Sequence, residues 1–153
     1  MDFAELDRGE LIAVVGGLLL GASVFLVWFH LGNQNAVLRS CHGPHTGCSG
    51  WAALGFLRYL LLATALAPVI LAYIILRGHA LSWPRGELTA VTSMVALTLT
   101  IFLGVVDPPG SPSGEISVGV GWWLALLGGV LILVGSVWRS QESAARRKPP
   151  GVL

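Results

Sequence analysis

Four apolar segments dominate the chain and determine its expected fold. They cover residues 11–31, 51–76, 88–106 and 116–138, and the only charged side chain within them is that of Arg58. At about 1.5 Å per residue, roughly 20 helical residues cross a hydrocarbon core of about 30 Å. Because backbone polar groups find no water inside a bilayer, each segment is expected to be a helix. The pattern predicts an all-α fold, a four-transmembrane-helix bundle that forms a single domain over residues 1–139.

The distribution of Lys and Arg orients this bundle. The first connection between segments holds Arg39, and the third holds no basic residue. Seven of the nine basic residues lie in the N-terminal segment, the second connection and the tail, namely Arg8, Arg77, Arg85, Arg139, Arg146, Arg147 and Lys148. Because cytoplasmic segments carry the excess of Lys and Arg, both termini are expected in the cytoplasm and the first and third loops outside. The basic tail, residues 140–153, is expected to be disordered.

Composition excludes several classes of protein. Of the 153 residues, 54% are hydrophobic and 11% charged, whereas soluble domains carry about 25% charged residues. The formal net charge of +1 argues against nucleic acid as a partner. The expected partners are the lipid bilayer and other membrane-protein subunits or a second copy of the chain. Tryptophans such as Trp28 and Trp51 are expected at the outer membrane boundary.

The first external loop contains the sharpest local motif. Cys41 and Cys48 are the only two cysteines, and disulfides persist on the outside of a membrane. The main prediction is a disulfide that closes this short loop, with a stabilisation of about 2.5 kcal/mol in the chain-entropy model. The alternative is a metal site formed by the two thiols with His42 and His45. Because adjacent ligands such as Cys41 and His42 rarely reach one tetrahedral centre, no metal or other cofactor is expected.

Small residues recur at intervals of four in two segments. They are Ala13, Gly17 and Gly21 in the first segment and Gly121, Ala125 and Gly129 in the last. Residues four apart lie on one helix face, where small side chains let two backbones approach closely. The two series predict helix packing, with Gly21 near Gly129 when the first helix docks on the last. The alternative is a face for a second copy or for another protein's helix.

Polar side chains inside the segments are few. Arg58 lies near the outer end of its segment, where it can extend to the headgroups or toward Asp107 or Glu115. The alternative is that it contacts a ligand or a specific lipid. The third segment carries a stripe of small and hydroxyl side chains, which comprises Thr89, Ser93, Ala96, Thr100 and Gly104. Its hydroxyl groups are expected to form hydrogen bonds with their own helix or with a neighbouring one.

Several short motifs carry a resemblance to a known group of proteins. They are Asp-Arg-Gly-Glu-Leu-Ile-Ala at residues 7–13, Ser-Gly-Trp at 49–51, Asp-Pro-Pro-Gly at 107–110 and the glycine-rich last segment. With these motifs the chain resembles an uncharacterised family of small four-helix integral membrane proteins of actinobacteria and related bacteria. The resemblance implies a bacterial inner membrane and transfers no functional residue. The two-cysteine loop is similar to that of claudin-like tetraspan proteins, but their Gly-Leu-Trp-x-x-Cys signature is absent.

No catalytic signature is present in the sequence. It lacks an acidic pair within the segments, a His-Glu-x-x-His motif and a phosphate-binding glycine loop. We therefore expect a non-enzymatic membrane protein, an accessory or stabilising subunit of a larger membrane complex. One alternative is a lipid- or quinone-binding enzyme or transporter that uses Arg58. Another is an external metal-binding sensor formed by the cysteine–histidine loop.

Overall fold

The computed structural model describes residues 8–33, 35–42, 47–77 and 87–146, the last five of them by their backbone only. Helices make up most of this part of the chain. In chain order the elements are α1 (Arg8–Ser23), β1 (Val27–Leu31), β2 (Val37–Leu38), β3 (Cys41–His42), β4 (Gly47–Ser49), α2 (Gly50–Ala53), α3 (Leu57–Leu76), α4 (Glu87–Ile101) with a π-helical turn (Phe102–Val106), a 3-10 turn (Ser113–Glu115), β5 (Ile116–Val118) and α5 (Val120–Arg146).

Three helices are long and apolar enough to cross a bilayer. They extend over residues 57–76, 87–106 and 120–141, where the π-helical turn completes the second of them. Their outer surfaces carry large apolar side chains, among them Ile70, Val91 and Val130. The prediction of a mostly helical chain is confirmed, and these three helices have the length and composition of membrane spans.

The helix predicted over residues 11–31 ends early. α1 stops at Ser23, and the turn that follows is closed by two 3.1 Å hydrogen bonds, from Phe25 N to the Ala22 carbonyl and from Leu26 N to the Ser23 carbonyl. The next residues form β1. They are mainly β-branched or aromatic, which favours a strand once partner strands are available. The apolar segment therefore contains a helix and a buried strand.

The strands contradict the all-α prediction. β1 is the central strand of a three-stranded antiparallel sheet in the order β4-β1-β5, in which Phe29 pairs with Cys48 on one side and Val118 on the other. β2 and β3 form a separate antiparallel pair. Because neighbours on both sides satisfy the backbone of β1, this extended segment can be buried without unpaired polar groups. The sheet thus joins the first and last connections of the chain.

The segment predicted as one helix over residues 51–76 is interrupted near its start. α2 begins after Ser49, whose Oγ accepts a 3.4 Å hydrogen bond from Ala52 N. Gly55 then has a φ of +53°, a left-handed conformation that glycine adopts without a steric penalty. α3 begins two residues later, at Leu57.

The last predicted segment, residues 116–138, differs at both ends. Its first three residues form β5, and the helix begins at Val120. It continues to Arg146, so part of the tail predicted to be disordered over residues 140–153 is helical. The sequence Gln-Glu-Ser-Ala-Ala-Arg at residues 141–146 is rich in strong helix formers, which explains the extension. Residues 147–153 of that predicted tail lie outside the described residues.

The helices pack around α1. It lies against both α3 and α5, and α4 packs mainly against α5. The large side chains with the least exposure gather where α1 meets the sheet, and include Leu20, Val24, Trp28, Phe29 and Leu31. This core fixes the sheet on the helices. We call the end of the molecule that carries strands β1 to β5 the sheet end.

Candidate functional site

A cluster of one arginine and several aromatic rings lies at the sheet end. Its centre is Arg58, in the first turn of α3. Nη1 of Arg58 donates a 2.9 Å hydrogen bond to the carbonyl oxygen of Trp51, and Nη2 donates a 3.0 Å bond to Oη of Tyr59. Cζ lies 4.3 Å from the ring centroid of Trp51 and 4.8 Å from that of Tyr59. Hydrogen bonds and cation–π contacts thus hold the guanidinium in place.

Arg58 does not extend to either of the carboxylates that the sequence suggested. Among the described residues it forms no ion pair with Asp107 or Glu115. The Glu115 backbone lies instead beside Gly32, whose N–H donates a 2.9 Å hydrogen bond to the Glu115 carbonyl. The carbonyl of Trp51, near the end of α2, provides a closer acceptor, as helix-end carbonyls often do for basic side chains.

Exposed aromatic rings surround Arg58. Phe25 stacks on Trp51 with ring centroids 5.6 Å apart, and Tyr59 meets the edge of Trp51 at 6.0 Å. Phe56 lies 6.3 Å from Tyr59 and is 79% exposed. Such a row of rings at the end of an apolar helix is typical of a membrane–water boundary.

A second arginine reaches the same turn from another part of the chain. Arg39 follows β2 and has a φ of +49°, and its guanidinium lies directly against Gly55. A Cβ built on Gly55 would lie 2.7 Å from Cζ of Arg39 and 2.8 Å from Nη2, so a larger residue at this position would displace the guanidinium. Gly55 therefore serves both the left-handed turn and the close approach of Arg39. No pattern in the sequence indicates that Arg39 lies against this turn.

Cys41 and Cys48 form a disulfide with an S–S distance of 2.04 Å. His42 follows Cys41 in β3, and its Nδ1 lies 3.2 Å from the carbonyl oxygen of Ser40. His45, the fourth residue of the metal hypothesis, lies outside the described residues. Because both sulfurs are in the disulfide, neither is a thiolate, the form of cysteine that binds zinc or copper.

The hydroxyl stripe of α4 packs against α5. Ser93 Oγ donates a 2.7 Å hydrogen bond to the carbonyl of Gly129, and Ser136 Oγ donates a 3.1 Å bond to Thr89 Oγ1. Trp122 Nε1 donates a 2.7 Å bond to the carbonyl of Thr100. These groups are buried and join two helices, as expected for polar side chains within a membrane bundle.

The predicted small residues lie at contacts between elements or are buried. α1 packs on α5, as the two series predicted, but most of the individual contacts differ from the expected ones. Gly17 packs on Ala65 and Pro68 of α3, and Gly21 also lies against Ala65. Gly129 lies against Leu97 of α4, and Gly121 lies against Trp28. Ala13 is buried beside Gly135, and Ala125 is 1% exposed. Gly21 and Gly129 therefore do not meet.

A buried ion pair that was not predicted from the sequence lies at the opposite end of the helices. Arg139 Nε lies 3.6 Å from Glu10 Oε1, and the two side chains are 5% and 7% exposed. In the sequence, Arg139 counts only among the basic residues that orient the bundle, and Glu10 occurs only in the motif at residues 7–13. The available signal was their position, because Glu10 directly precedes the first apolar segment and Arg139 directly follows the last. On one side of a bundle such residues can pair across adjacent helices.

Comparison with known proteins gives no relative for this site. No protein-family model, no curated protein and no solved structure matches the chain.

Proposed function

We propose that this chain is a non-enzymatic integral membrane protein of a bacterial inner membrane and an accessory or stabilising subunit of a larger membrane complex. The bundle has four spans, with both termini in the cytoplasm and the sheet end outside. α3, α4 with its π-helical turn, and α5 supply three spans. α1 has 16 residues, about 24 Å of helix, and is the fourth.

The short α1 fits this arrangement because its end is covered by protein. Trp28 Nε1 donates a 2.7 Å hydrogen bond to the carbonyl of Ser23. The carbonyl of Val24 accepts a 2.7 Å bond from Trp51 N, and that of Leu26 accepts a 3.1 Å bond from Gly50 N. Non-helical backbone at membrane depth is tolerated where protein satisfies its polar groups.

The observation that carries the proposal is the use of polar groups between the helices. Ser93, Ser136 and Trp122 bond across the α4–α5 contact, and Glu10 pairs with Arg139 across the α1–α5 contact. A transporter or membrane enzyme needs polar groups that face a substrate. In this chain the polar side chains named above join helices to one another, which supports a structural role.

Cysteine labelling in intact cells tests the topology. The native cysteines are joined in a disulfide, so a new cysteine reports its own position. Gly114 has no atom within 4 Å of a built Cβ, and Arg77 is exposed at the other end of α3. A membrane-impermeant maleimide should label Gly114→Cys in intact cells and Arg77→Cys only after lysis. The reverse pattern would overturn the orientation.

Purification in mild detergent tests the subunit role. The chain should be recovered with the same membrane proteins, at constant ratio, through two successive affinity and size-exclusion steps. Quantitative mass spectrometry with and without a membrane-permeant cross-linker measures that ratio, and the matched control is an unrelated four-helix membrane protein expressed at the same level. Recovery of the isolated chain alone, even after cross-linking, would contradict the proposal.

Arg58 supports one alternative among those that the sequence left open, a site for a small molecule or a lipid. Its guanidinium lies at the sheet end within a group of exposed rings. Binding of a lipid at Arg58 is compatible with a structural subunit. The metal sensor is not proposed, because the disulfide occupies both candidate thiols.

A further inference from the structure

We propose that Arg39 and Arg58 together bind the phosphate of an anionic phospholipid in the outer leaflet. The Arg39 guanidinium contacts the turn between α2 and α3, and the Arg58 guanidinium contacts the adjoining helix α2. Arg39 lies against Gly55 within that turn, and Arg58 bonds to the carbonyl of Trp51, four residues before Gly55. The site rests on the proposed membrane orientation, since it requires the sheet end to lie at the headgroups.

The hydrogen-bond capacity of the two arginines favours an anion. A guanidinium has five N–H donors, and Arg58 donates two of them, to Trp51 and Tyr59. The second N–H on each of its terminal nitrogens has no acceptor among the described residues. Arg39 is exposed and donates no hydrogen bond within the described chain. Donors remain on both groups, and phosphate oxygens are the acceptors that arginine matches best.

The charges of the two arginines lead to the same ligand. Within the part of the chain that the structure describes, neither Arg39 nor Arg58 forms an ion pair with a carboxylate. Arg39 contacts the turn that follows α2 and Arg58 contacts α2 itself, so both groups contribute positive potential to this region, which favours an anion there. Arg58 is positioned before any ligand arrives, because Trp51 and Tyr59 already hold it. Such preorganisation lowers the entropic cost of binding.

The depth of the cluster identifies the anion as a lipid headgroup. The 18 residues from Tyr59 to Leu76 remain below Arg58 to cross the apolar layer, about 27 Å of helix. Around Arg58 the rings of Trp51, Tyr59 and Phe56 are exposed at the level where aromatic belts meet headgroups. A phospholipid phosphate is the anion always present at that level.

Native mass spectrometry of the full chain tests this site. The purified protein is titrated with phosphatidylglycerol and, separately, with phosphatidylcholine, and the association constant of the first bound lipid is measured. Phosphatidylglycerol should bind more tightly, and Arg39→Gln or Arg58→Gln should each lower its association constant about tenfold, the effect of losing one charge-assisted hydrogen bond. Arg58→Lys should give an intermediate value, because lysine keeps the charge but not the planar fork.

Arg77→Gln is the matched control. Arg77 lies at the other end of α3, with Cζ 5.1 Å from the ring centroid of Tyr73, so it is also an arginine over a tyrosine. An equal loss of phosphatidylglycerol binding in Arg77→Gln would show a general charge effect and overturn the site. Equal affinity for the two lipids would also overturn it. If soluble glycerol phosphate displaced the lipid at millimolar concentration, the site would bind the phosphate alone, which contradicts a lipid site.

The Arg39→Gln variant and the cysteine labelling of Gly114→Cys separate failure of the lipid site from failure of the fold or of the topology. If Arg58→Gln fails to fold, the exposed Arg39→Gln still decides the outcome, because among the described residues Arg39 makes no hydrogen bond that the fold would lose. If the labelling pattern of Gly114→Cys is reversed, the sheet end faces the cytoplasm, and the outer-leaflet lipid site is overturned together with the topology. Correct labelling without selectivity for phosphatidylglycerol removes only the lipid site.

Discussion

Gly16 of α1 and Gly128 of α5 bring the backbones of their helices into direct contact. A Cβ built on Gly16 would lie 2.7 Å from the carbonyl oxygen of Gly128, and a Cβ built on Gly128 would lie 2.7 Å from the carbonyl oxygen of Gly16. Two turns away along each helix, Gly9 and Gly135 repeat this relationship. The contact between the first and last helices therefore depends on glycine on both sides, because the obstructing atoms belong to the backbone and cannot rotate away.

Gly16→Ala should destabilise the bundle. The new methyl group would meet Gly128 O at 2.7 Å and Ile132 N at 2.8 Å, and overpacking of this kind costs about 1–3 kcal/mol. Gly21→Ala is the matched control, since its Cβ would lie 3.6 Å from Ala65 Cβ, an ordinary contact. Denaturant titration in mixed micelles measures both changes. Equal effects of the two substitutions would show that the Gly16 contact is not specific.

These glycines show what the sequence could and could not predict about packing. A spacing of four correctly indicated faces of close approach, and Gly17, Gly21, Gly121 and Gly129 all lie at contacts. The partners were not predictable, because α1 has glycines on two faces: Gly16 turns to α5 and Gly17 to α3. Adjacent residues point about 100° apart on a helix, so the choice of partner depends on how the helices are arranged.

Glu10→Gln should lower the free energy of unfolding. The substitution replaces the carboxylate that lies 3.6 Å from Arg139 Nε by a neutral amide, while the Arg139 side chain is only 5% exposed, and breaking a buried pair in this way costs about 3–5 kcal/mol. Glu87→Gln removes an exposed carboxylate from the first turn of α4, where the helix-dipole contribution is about 1 kcal/mol or less. Thermal unfolding in detergent compares the two. A shift no larger in Glu10→Gln than in Glu87→Gln would contradict a structural ion pair.

Reduction of Cys41–Cys48 should destabilise the sheet end more than the helices. The disulfide spans seven positions in sequence, and the chain-entropy model gives about 2.5 kcal/mol for a loop of this size. Cys48 is fully buried beside the core whereas Cys41 is only partly buried, so Cys41→Ser is the milder substitution. Hydrogen exchange should show faster exchange in β1 and β4 and little change in α5. Uniform acceleration across all helices would indicate that the disulfide stabilises the whole bundle.

The prediction that the first helix continues through residues 24–31 was wrong, and the reason is physical. A membrane helix and a strand with neighbours on both sides are both continuous apolar runs, so hydropathy does not distinguish them. The deciding information is distant, since β1 pairs with Gly47–Ser49 and with Ile116–Val118. Each partner is only three residues long and polar in part, and neither is recognisable as a strand alone. Trp28 of β1 is fully buried within the protein.

Trp28→Phe should be among the most destabilising conservative substitutions in the chain. Trp28 Nε1 donates a 2.7 Å hydrogen bond to the carbonyl of Ser23, where α1 ends. The indole is enclosed by two glycines: a Cβ on Gly50 would lie 2.6 Å from Nε1, and a Cβ on Gly121 would lie 2.5 Å from Cδ1. Phenylalanine would leave the Ser23 carbonyl without this donor and a cavity beside it, at a cost of about 2 kcal/mol or more.

Trp123→Phe is the matched control for this substitution. Its indole is 60% exposed and contacts the Trp122 ring edge-on at 4.8 Å, so the change should cost about 1 kcal/mol or less. Denaturant titration in mixed micelles gives the free energies of unfolding of the two variants. Intrinsic fluorescence shows how much of the emission came from the substituted tryptophan in its native environment. Because Trp28 joins α1, β1 and α5, its loss should also expose the amide protons of β1 to exchange. If β1 stays as protected as in the native chain, the indole is not what fixes the sheet to the helices.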